Sequence, residues 1–179
     1  MRIIRGKYKG HRLTAPKAIK ARPTTDFAKE GLFNILENKI DIIDATILDL
    51  FTGTGNLSFE FTSRGAKSSI AIDISHVSVR FINEQSKKWE LPIKAFKNNV
   101  FKFLAKPVGS FDIIFADPPY AIEGIETIPD LVLQSNLLAP DGLLIVEHGK
   151  ETDFSNHPNL VDNRTYSKVN FSFFRHSEE

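Results

Sequence analysis

The tetrapeptide Asp117-Pro118-Pro119-Tyr120 presents a carboxylate and an aromatic ring directly after the apolar run at residues 111–116. An apolar, β-branched run of this length predicts a buried strand, and two consecutive prolines must end it. Because the proline rings fix φ and restrict the residue before them, Asp117 and Tyr120 are held on a backbone with little freedom. The carboxylate and a neighbouring carbonyl can accept hydrogen bonds from an amino group while the ring stacks on a flat substrate. This chemistry suits the exocyclic amine of a nucleobase or a side-chain amide.

A second group of residues has the pattern of a nucleotide-binding turn. Asp49 and Phe51 end an apolar run and precede the turn Gly53-Thr54-Gly55. Glycines at such a turn let the backbone approach a ligand closely before a helix begins. Asp73 follows Gly55 by 18 residues, near the spacing at which a strand-end acid reaches ribose hydroxyls. These residues predict a site for an adenosine-containing cofactor.

The position of Asp49 favours one class of cofactor. Dinucleotide-binding turns prefer a third glycine or an alanine where this chain has Ser58. A carboxylate upstream of the turn would repel a pyrophosphate, but it would attract the ammonium and sulfonium charges of S-adenosylmethionine. Two alternatives stay open at this point. Asp49 could cap its own loop, and Asp73 could cap the following helix, although Ser75 could also fill that role.

Residues after the third predicted strand complete the predicted cofactor site. The Asn99 amide could hold an adenine amine while Val100 packs on the ring, but asparagine is also a common helix cap. The predicted cofactor-binding residues are Asp49, Phe51, Gly53, Gly55, Asp73, Ile74, Asn99 and Val100.

Alternating strand and helix patterns would position these residues along one edge of a sheet. Strands are predicted at residues 46–51, 69–73, 93–97, 111–116, 143–147, 163–167 and 169–174. Helices are predicted from Asp26, from the turn at Gly55 to about residue 64, and at residues 76–90, 100–106 and 127–138. Such alternation predicts an α/β fold, in which a mostly parallel sheet is covered on both faces and an antiparallel C-terminal hairpin finishes it. Ligands in such sheets bind outside the carboxyl ends of the strands.

The charge of the chain is unevenly distributed. Residues 1–39 hold ten bases and three acids, a balance of +7, whereas the remaining residues sum to −6. Residues 2–5 and 11–14 predict a small β-hairpin around a turn with Gly6 and Gly10. A basic segment on an acidic body indicates a polyanion binder, most simply nucleic acid; the alternative is a solvated, lysine-rich surface. The candidate contacts are Arg2, Arg5, Lys7, Lys9, Arg12 and Arg22.

The bulk composition excludes several protein classes. At 179 residues, 41% hydrophobic and 25% charged, the chain suits one cytoplasmic globular domain with a small appendage. No apolar stretch approaches membrane-spanning length, and the basic start lacks the apolar core of a signal peptide, so no membrane partner is expected. Because cysteine is absent and the five histidines form no pair at metal-binding spacing, no metal is expected.

The quoted motifs resemble a known family. Asp49-x-Phe51-x-Gly53-x-Gly55, Asp73 and Asp117-Pro118-Pro119-Tyr120 resemble class I S-adenosylmethionine-dependent methyltransferases that act on planar amines. Within that group, the N-terminal part of the chain resembles the bacterial RsmD family. The matching segments are Arg2-Ile3-Ile4, the turn with Gly6 and Gly10, Arg22-Pro23-Thr24-Thr25-Asp26 and Leu32-Phe33-Asn34. Departures from the family pattern occur at Arg5, Phe27, Lys29 and Ser167.

The resemblance implies a Rossmann-like methyltransferase domain at residues 26–179, preceded by an RNA-binding hairpin and linker at residues 1–25. It implies methyl transfer from S-adenosylmethionine to N2 of a guanine in 16S rRNA, free or in an assembling small ribosomal subunit. Asp117 and the Pro118 carbonyl would then hold the amine, with Pro119 fixing the corner and Tyr120 stacking on the base. Asp117 or water would take the proton.

Three other functions would each account for part of the sequence. A DNA adenine-N6 methyltransferase would share the site, but it normally needs an added target-recognition region, and the roughly 20 residues between Tyr120 and Gly142 leave no room for one. A non-catalytic RNA-binding module would explain the basic segment alone. A protein glutamine methyltransferase usually carries Asn where this chain has Asp117, and it would leave the basic hairpin unexplained.

Overall fold

A seven-stranded sheet organises the chain in the computed structural model, which describes residues 1–20 and 24–177. In chain order the elements are α1 (Asp26–Leu36), β1 (Thr46–Leu50), α2 (Asn56–Ser63), β2 (Ser68–Asp73), α3 (His76–Lys88), β3 (Ile93–Lys97), α4 (Val100–Ala105), β4 (Phe111–Ala116), a 3-10 turn (Ile125–Thr127), α5 (Ile128–Leu133), β5 (Leu138–His148), β6 (Leu160–Tyr166) and β7 (Val169–Phe174). Within these described residues, no helix is long and apolar enough to cross a membrane.

The strand order is β3-β2-β1-β4-β5-β7-β6. The first five strands in this order are parallel, and β7 runs antiparallel to both β5 and β6. The predicted Rossmann-like fold class is confirmed. Because the strand order reverses between β1 and β4, the carboxyl ends of these two strands form the switch point at which such sheets bind ligands.

Both faces of the sheet are buried, because successive apolar side chains of the central strands point to opposite sides. Ile47 and Ile113 belong to one core cluster and their neighbours Leu48 and Ile114 to another, and all four are fully buried. Consecutive side chains of a strand point to opposite faces, so a continuous apolar run requires cover on both sides. The helices supply that cover.

The helix predicted over residues 127–138 was wrong in its second half. Pro129 lies in the first turn of α5, where proline is tolerated, and the helix ends at Leu133. Leu137 and Leu138 are drawn into the sheet instead: the Phe111 N–H donates to the Leu137 carbonyl at 2.7 Å, and Leu138 pairs with Phe111. Strand β5 therefore begins earlier than the apolar run at residues 143–147 predicted.

The predicted N-terminal hairpin forms, with an antiparallel bridge between Arg2 and Arg12 and a hydrogen bond at 2.9 Å from the Ile3 N–H to the His11 carbonyl. The Ile4 and Arg5 N–H groups donate to the Glu60 carboxylate of α2, at 2.8 and 3.0 Å, so they are turned toward a helix rather than toward the opposite arm. Ile3 is buried in the same cluster as residues of the sheet. The segment is thus docked on the domain, and the predicted division at residue 25 stays a prediction.

A buried ion pair reinforces this docking. Lys29 of α1 is completely buried; its Nζ donates to the Arg2 carbonyl at 2.6 Å and lies 3.4 Å from Glu60 Oε2. Burial lowers the pKa of Lys29, while the Glu60 carboxylate acts in the opposite direction. Arg64 pairs with the other Glu60 oxygen at 2.8 Å. One base of the +7 segment is therefore used to hold the segment in place.

Candidate active site

A cavity of about 600 Å³ lies along the carboxyl ends of β1, β2, β4 and β5. Each of these strands contributes an acid to its lining at or next to the strand end, and they are Asp49, Asp73, Asp117 and Glu147. The volume falls within the range of small-molecule sites. Four carboxylic acids in one cavity favour ligands that carry positive charge or N–H donors.

The glycine turn lies on the wall of this cavity and is held by Asp73. Phe51 and Gly53 adopt φ values of 58° and 55°, the left-handed region that a tight turn requires. The Gly53 N–H donates to Asp73 Oδ2 and the Ser75 N–H to Asp73 Oδ1, both at 2.8 Å. The cap of α3 is Ser75, whose hydroxyl accepts from the Ser78 N–H. The alternative that Asp73 caps this helix was therefore wrong.

Asp49 caps its loop and lines the cavity at once. Its Oδ2 accepts hydrogen bonds from the hydroxyls of Thr52 and Ser58, each at 2.6 Å, and the residue is only 2% exposed. Burial raises the pKa of Asp49 to about 6, although the bonds from Ser58 and Thr52 act against the rise. A cation in the cavity would favour the ionised form of this carboxyl.

Gly55 lies behind the turn and not on the cavity wall. It precedes α2 with φ 76°, and a Cβ added there would lie 2.9 Å from Ile82 Cγ1 of α3. The missing side chain lets α2 and α3 pack closely, and the contact of Gly55 with the cofactor stays a prediction.

The three residues that the sequence assigned to an adenine ring, Ile74, Asn99 and Val100, line the cavity, and their contact with adenine stays a prediction. Asn99 caps α4, and its side-chain oxygen accepts from the Lys102 N–H at 3.1 Å, so the capping alternative is confirmed. Val100 is buried beside it, whereas Ile74 is 66% exposed next to Asp73. An exposed isoleucine at a cavity rim offers an apolar surface to a flat ring.

All four residues of the Asp117–Tyr120 corner line the cavity. The Asp117 N–H donates to the Leu50 carbonyl at 3.3 Å, which ties the corner to the end of β1. The Pro119 carbonyl accepts from the Ile122 N–H at 2.9 Å and closes the following turn. Tyr120 is 38% exposed, and its hydroxyl lies 3.5 Å from Glu147 Oε1. The carboxylate and the ring therefore face the same space as the glycine turn.

Comparison with known proteins agrees with this geometry. Residues 1–175 match the protein family described as "Conserved hypothetical protein 95". The chain belongs to this family. Ribosomal RNA small subunit methyltransferase D of Escherichia coli (strain K12) is 33% identical over 159 residues, which cover 88% of this chain and 79% of that protein. The protein of the same name from Haemophilus influenzae is 30% identical over 186 residues, covering 98% and 93%.

A solved structure shares the whole fold. The Escherichia coli protein yhhF superposes with a TM-score of 0.86 at 28% identity and covers 99% of both chains. These matches confirm the family resemblance inferred from the sequence. The protein is therefore a methyltransferase.

Several residues that line the cavity were not predicted from the sequence. Glu147 ends the apolar run of β5, and an acid at a predicted strand end was the signal that could have found it. The turn between β6 and β7 contributes Ser167 and Lys168, and the N-terminal linker contributes Lys20 and Thr24. These segments carry no local signal, because only the tertiary fold brings them to the cavity mouth. Ser167 has φ 59°, a backbone conformation that a glycine adopts with less strain.

The basic N-terminal segment contacts two separate parts of the domain. The hairpin tip lies at the far end of the domain: the Lys7 N–H donates to the carbonyl of Ser63, the last residue of α2, and the Tyr8 hydroxyl donates to the carbonyl of Trp89, directly after α3. Both helices start at the cavity, and α3 is about 20 Å long by its rise per residue. The linker that follows returns to the cavity, where Lys20 contributes to the lining.

The basic residues of the N-terminal segment differ in whether they are already paired with an acid or a ring of the protein. Arg2 pairs with Asp26 at 3.2 Å and Arg5 with Glu37 at 2.8 Å. Lys7 lies over the Tyr8 ring. Lys9 and Arg12 are exposed and form no ion pair with any residue that the structure describes, and Arg22 lies outside the described residues. Among described residues, no group of three acids or histidines is arranged to hold a metal ion.

Proposed function

We propose that this protein transfers a methyl group from S-adenosylmethionine to the exocyclic N2 amine of a guanine in 16S rRNA. The observation that carries the proposal is the shared cavity: the amine-binding corner of Asp117 and Tyr120 faces the same space as the acid-flanked glycine turn. The relatives named ribosomal RNA small subunit methyltransferase D support rRNA as the acceptor.

The cavity residues fit S-adenosylmethionine chemically. Asp49 has a pKa raised to about 6 by burial, so a neighbouring ammonium or sulfonium charge would relieve the cost of its ionisation. Asp73 would face the ribose hydroxyls, and Ile74 and Val100 would pack on the adenine. When bound, S-adenosylmethionine supplies an electrophilic methyl group.

The remaining chemistry belongs to the corner at the end of β4. The guanine N2 is a poor nucleophile because its lone pair is delocalised into the ring. Hydrogen bonds from the amine to the Asp117 carboxylate and the Pro118 carbonyl would orient that lone pair, and stacking on Tyr120 would contribute about 1–3 kcal/mol. The rate should come from alignment and electrostatics, and the N2 proton would pass to Asp117 or to water.

The acceptor would reach the cavity as an extruded base. Unstacking costs a few kcal/mol, and less in a loop. Lys20 and Lys168 lie at the cavity mouth, where they would meet the flanking phosphates, while the hairpin tip would contact RNA farther away. An rRNA substrate would place the enzyme in the cytoplasm.

The DNA alternative finds no support in the chain between the corner and β5. Residues 121–137 are occupied by a turn, the 3-10 turn and α5, and they hold no inserted region that could read a DNA target. The non-catalytic alternative would be supported if calorimetry detected no binding of S-adenosylmethionine.

Asp117→Ala tests the proposal. We expect methyl transfer to small-subunit rRNA to be lost while calorimetry still detects S-adenosylmethionine binding, because Asp117 acts on the acceptor. Glu126→Ala, at an exposed acid of the following segment, is the matched control and should retain turnover. Unchanged turnover in Asp117→Ala would remove the proposed role.

A further inference from the structure

Glu147 places a second carboxylate beside Asp117. Strands β4 and β5 are parallel with Ala116 opposite Val146, so Asp117, directly after β4, is level with Glu147, which is still within β5 and pairs with Phe171 of β7. Glu147 is 5% exposed and lines the cavity. Two acids therefore stand side by side on the acceptor side of the site.

A buried carboxylate in a binding cavity is informative because the cost of burying its charge is offset by hydrogen-bond donors that approach it. The Tyr120 hydroxyl lies 3.5 Å from Glu147 Oε1, so the ring that would stack on the base and this carboxylate are neighbours. A ligand that brought a strong N–H donor to Glu147 would gain a charge-assisted hydrogen bond.

The Watson–Crick edge of guanine has adjacent donors at N1–H and N2–H. Adenine has an acceptor at N1 instead, as does cytosine at N3, and either lone pair would face a carboxylate unfavourably. The side-by-side acids at the ends of β4 and β5 therefore match guanine and reject the other amine-bearing bases.

We propose that Glu147 determines base specificity by accepting the guanine N1–H while Asp117 holds the N2 amine. This inference rests on the proposed function and deepens it. It also gives Glu147 a role distinct from that of a support for the Tyr120 ring, because a support would affect every stacked base equally.

The probe that separates these roles is 2-aminopurine, which keeps the amine but carries an acceptor at N1. The target guanine is first mapped with the wild-type enzyme, and 16S rRNA is then assembled by splinted ligation with guanine or 2-aminopurine at that position. Methylation rates are compared for the wild type, for Glu147→Gln and for Glu151→Gln, a matched change at an exposed residue outside the cavity. Calorimetry with S-adenosylmethionine verifies that each variant is folded.

We expect the wild type and Glu151→Gln to prefer guanine over 2-aminopurine by about 100-fold, because a site built for a donor rejects an analogue that lacks it. Glu147→Gln should reduce this ratio to about tenfold or less, since the glutamine amide can donate to the N1 lone pair. A ratio unchanged by Glu147→Gln would overturn the inference and leave the proposed function standing. If the wild type methylates no guanine in rRNA, the proposed function itself fails.

Discussion

Asp49→Asn should stabilise the ligand-free protein while it weakens cofactor binding. The Asp49 carboxyl is buried, and burial raises its pKa from 3.8 to about 6. Asparagine has nearly the same shape, and its oxygen can accept the two hydroxyl bonds that Oδ2 now accepts from Thr52 and Ser58. The substitution therefore removes a costly charge and keeps its hydrogen bonds.

The difference between the two pKa values sets the size and the pH range of the effect. The folded state binds a proton on Asp49 more tightly than the unfolded state, so its contribution to stability is fully present below pH 3.8 and is lost as the pH rises to about 6. The full difference corresponds to about 3 kcal/mol. Asparagine does not titrate, so the advantage of the variant should be near zero well below pH 3.8, about 1 kcal/mol at pH 4.5 and about 3 kcal/mol at pH 8.

Urea unfolding of both proteins at pH 4.5 and pH 8 measures this advantage directly. Asp141→Asn, at an exposed acid, is the matched control and should show almost no pH-dependent difference from the wild type. In parallel, calorimetry at pH 8 should find that Asp49→Asn binds S-adenosylmethionine roughly 10–100-fold more weakly, the loss expected for a hydrogen bond to a charged group.

Two results would refute this reasoning. If Asp49→Asn lowered the unfolding free energy equally at both pH values, the buried charge would not be the costly feature. If the variant bound S-adenosylmethionine as tightly as the wild type, Asp49 would not face the positive charges of the ligand.

Three further predictions concern other parts of the molecule. Tyr120→Ala should lower methyl transfer about 10–100-fold and Tyr120→Phe only a few-fold, because stacking contributes about 1–3 kcal/mol; equal losses would contradict a stacking role. Replacing Lys7 and Lys9 together by Gln should weaken rRNA binding and reduce the salt slope by about one for each phosphate contact, whereas the ion-paired Arg5→Gln should have less effect in the same filter-binding assay. Ser167→Gly should raise the unfolding free energy by about 1 kcal/mol in urea, because φ at Ser167 is positive; destabilisation would count against backbone strain there.

The sheet and its ligand edge could be predicted because the signals are local. The run at residues 111–116 is apolar without interruption, and the prolines after it end the strand whatever the surroundings. The turn at Gly53 and the acid at Asp73 likewise follow from short spacings. Because each of these signals marks the carboxyl end of a parallel strand, the amino-acid sequence was enough to predict that they share one edge of the sheet.

The docking of the N-terminal segment could not be predicted, because it depends on contacts between residues that are far apart in the sequence. Glu60 takes the backbone N–H groups of Ile4 and Arg5, 56 and 55 residues away, and no pattern in the N-terminal segment reveals that partner. Lys29 counts as a surface charge in the sequence, yet it is buried against the same carboxylate. The net charge of the N-terminal segment therefore overstated the positive charge that this segment exposes to solvent.

The central claim is that this protein methylates a guanine amine in small-subunit rRNA, with the amine held at Asp117. Labelled S-adenosylmethionine is supplied with the protein and, in parallel, with 16S rRNA, small ribosomal subunits and DNA, and the modified nucleotide is mapped. We predict label in 16S rRNA, free or within the subunit, as N2-methylguanine at one position. Label found only in DNA or in protein would contradict the account.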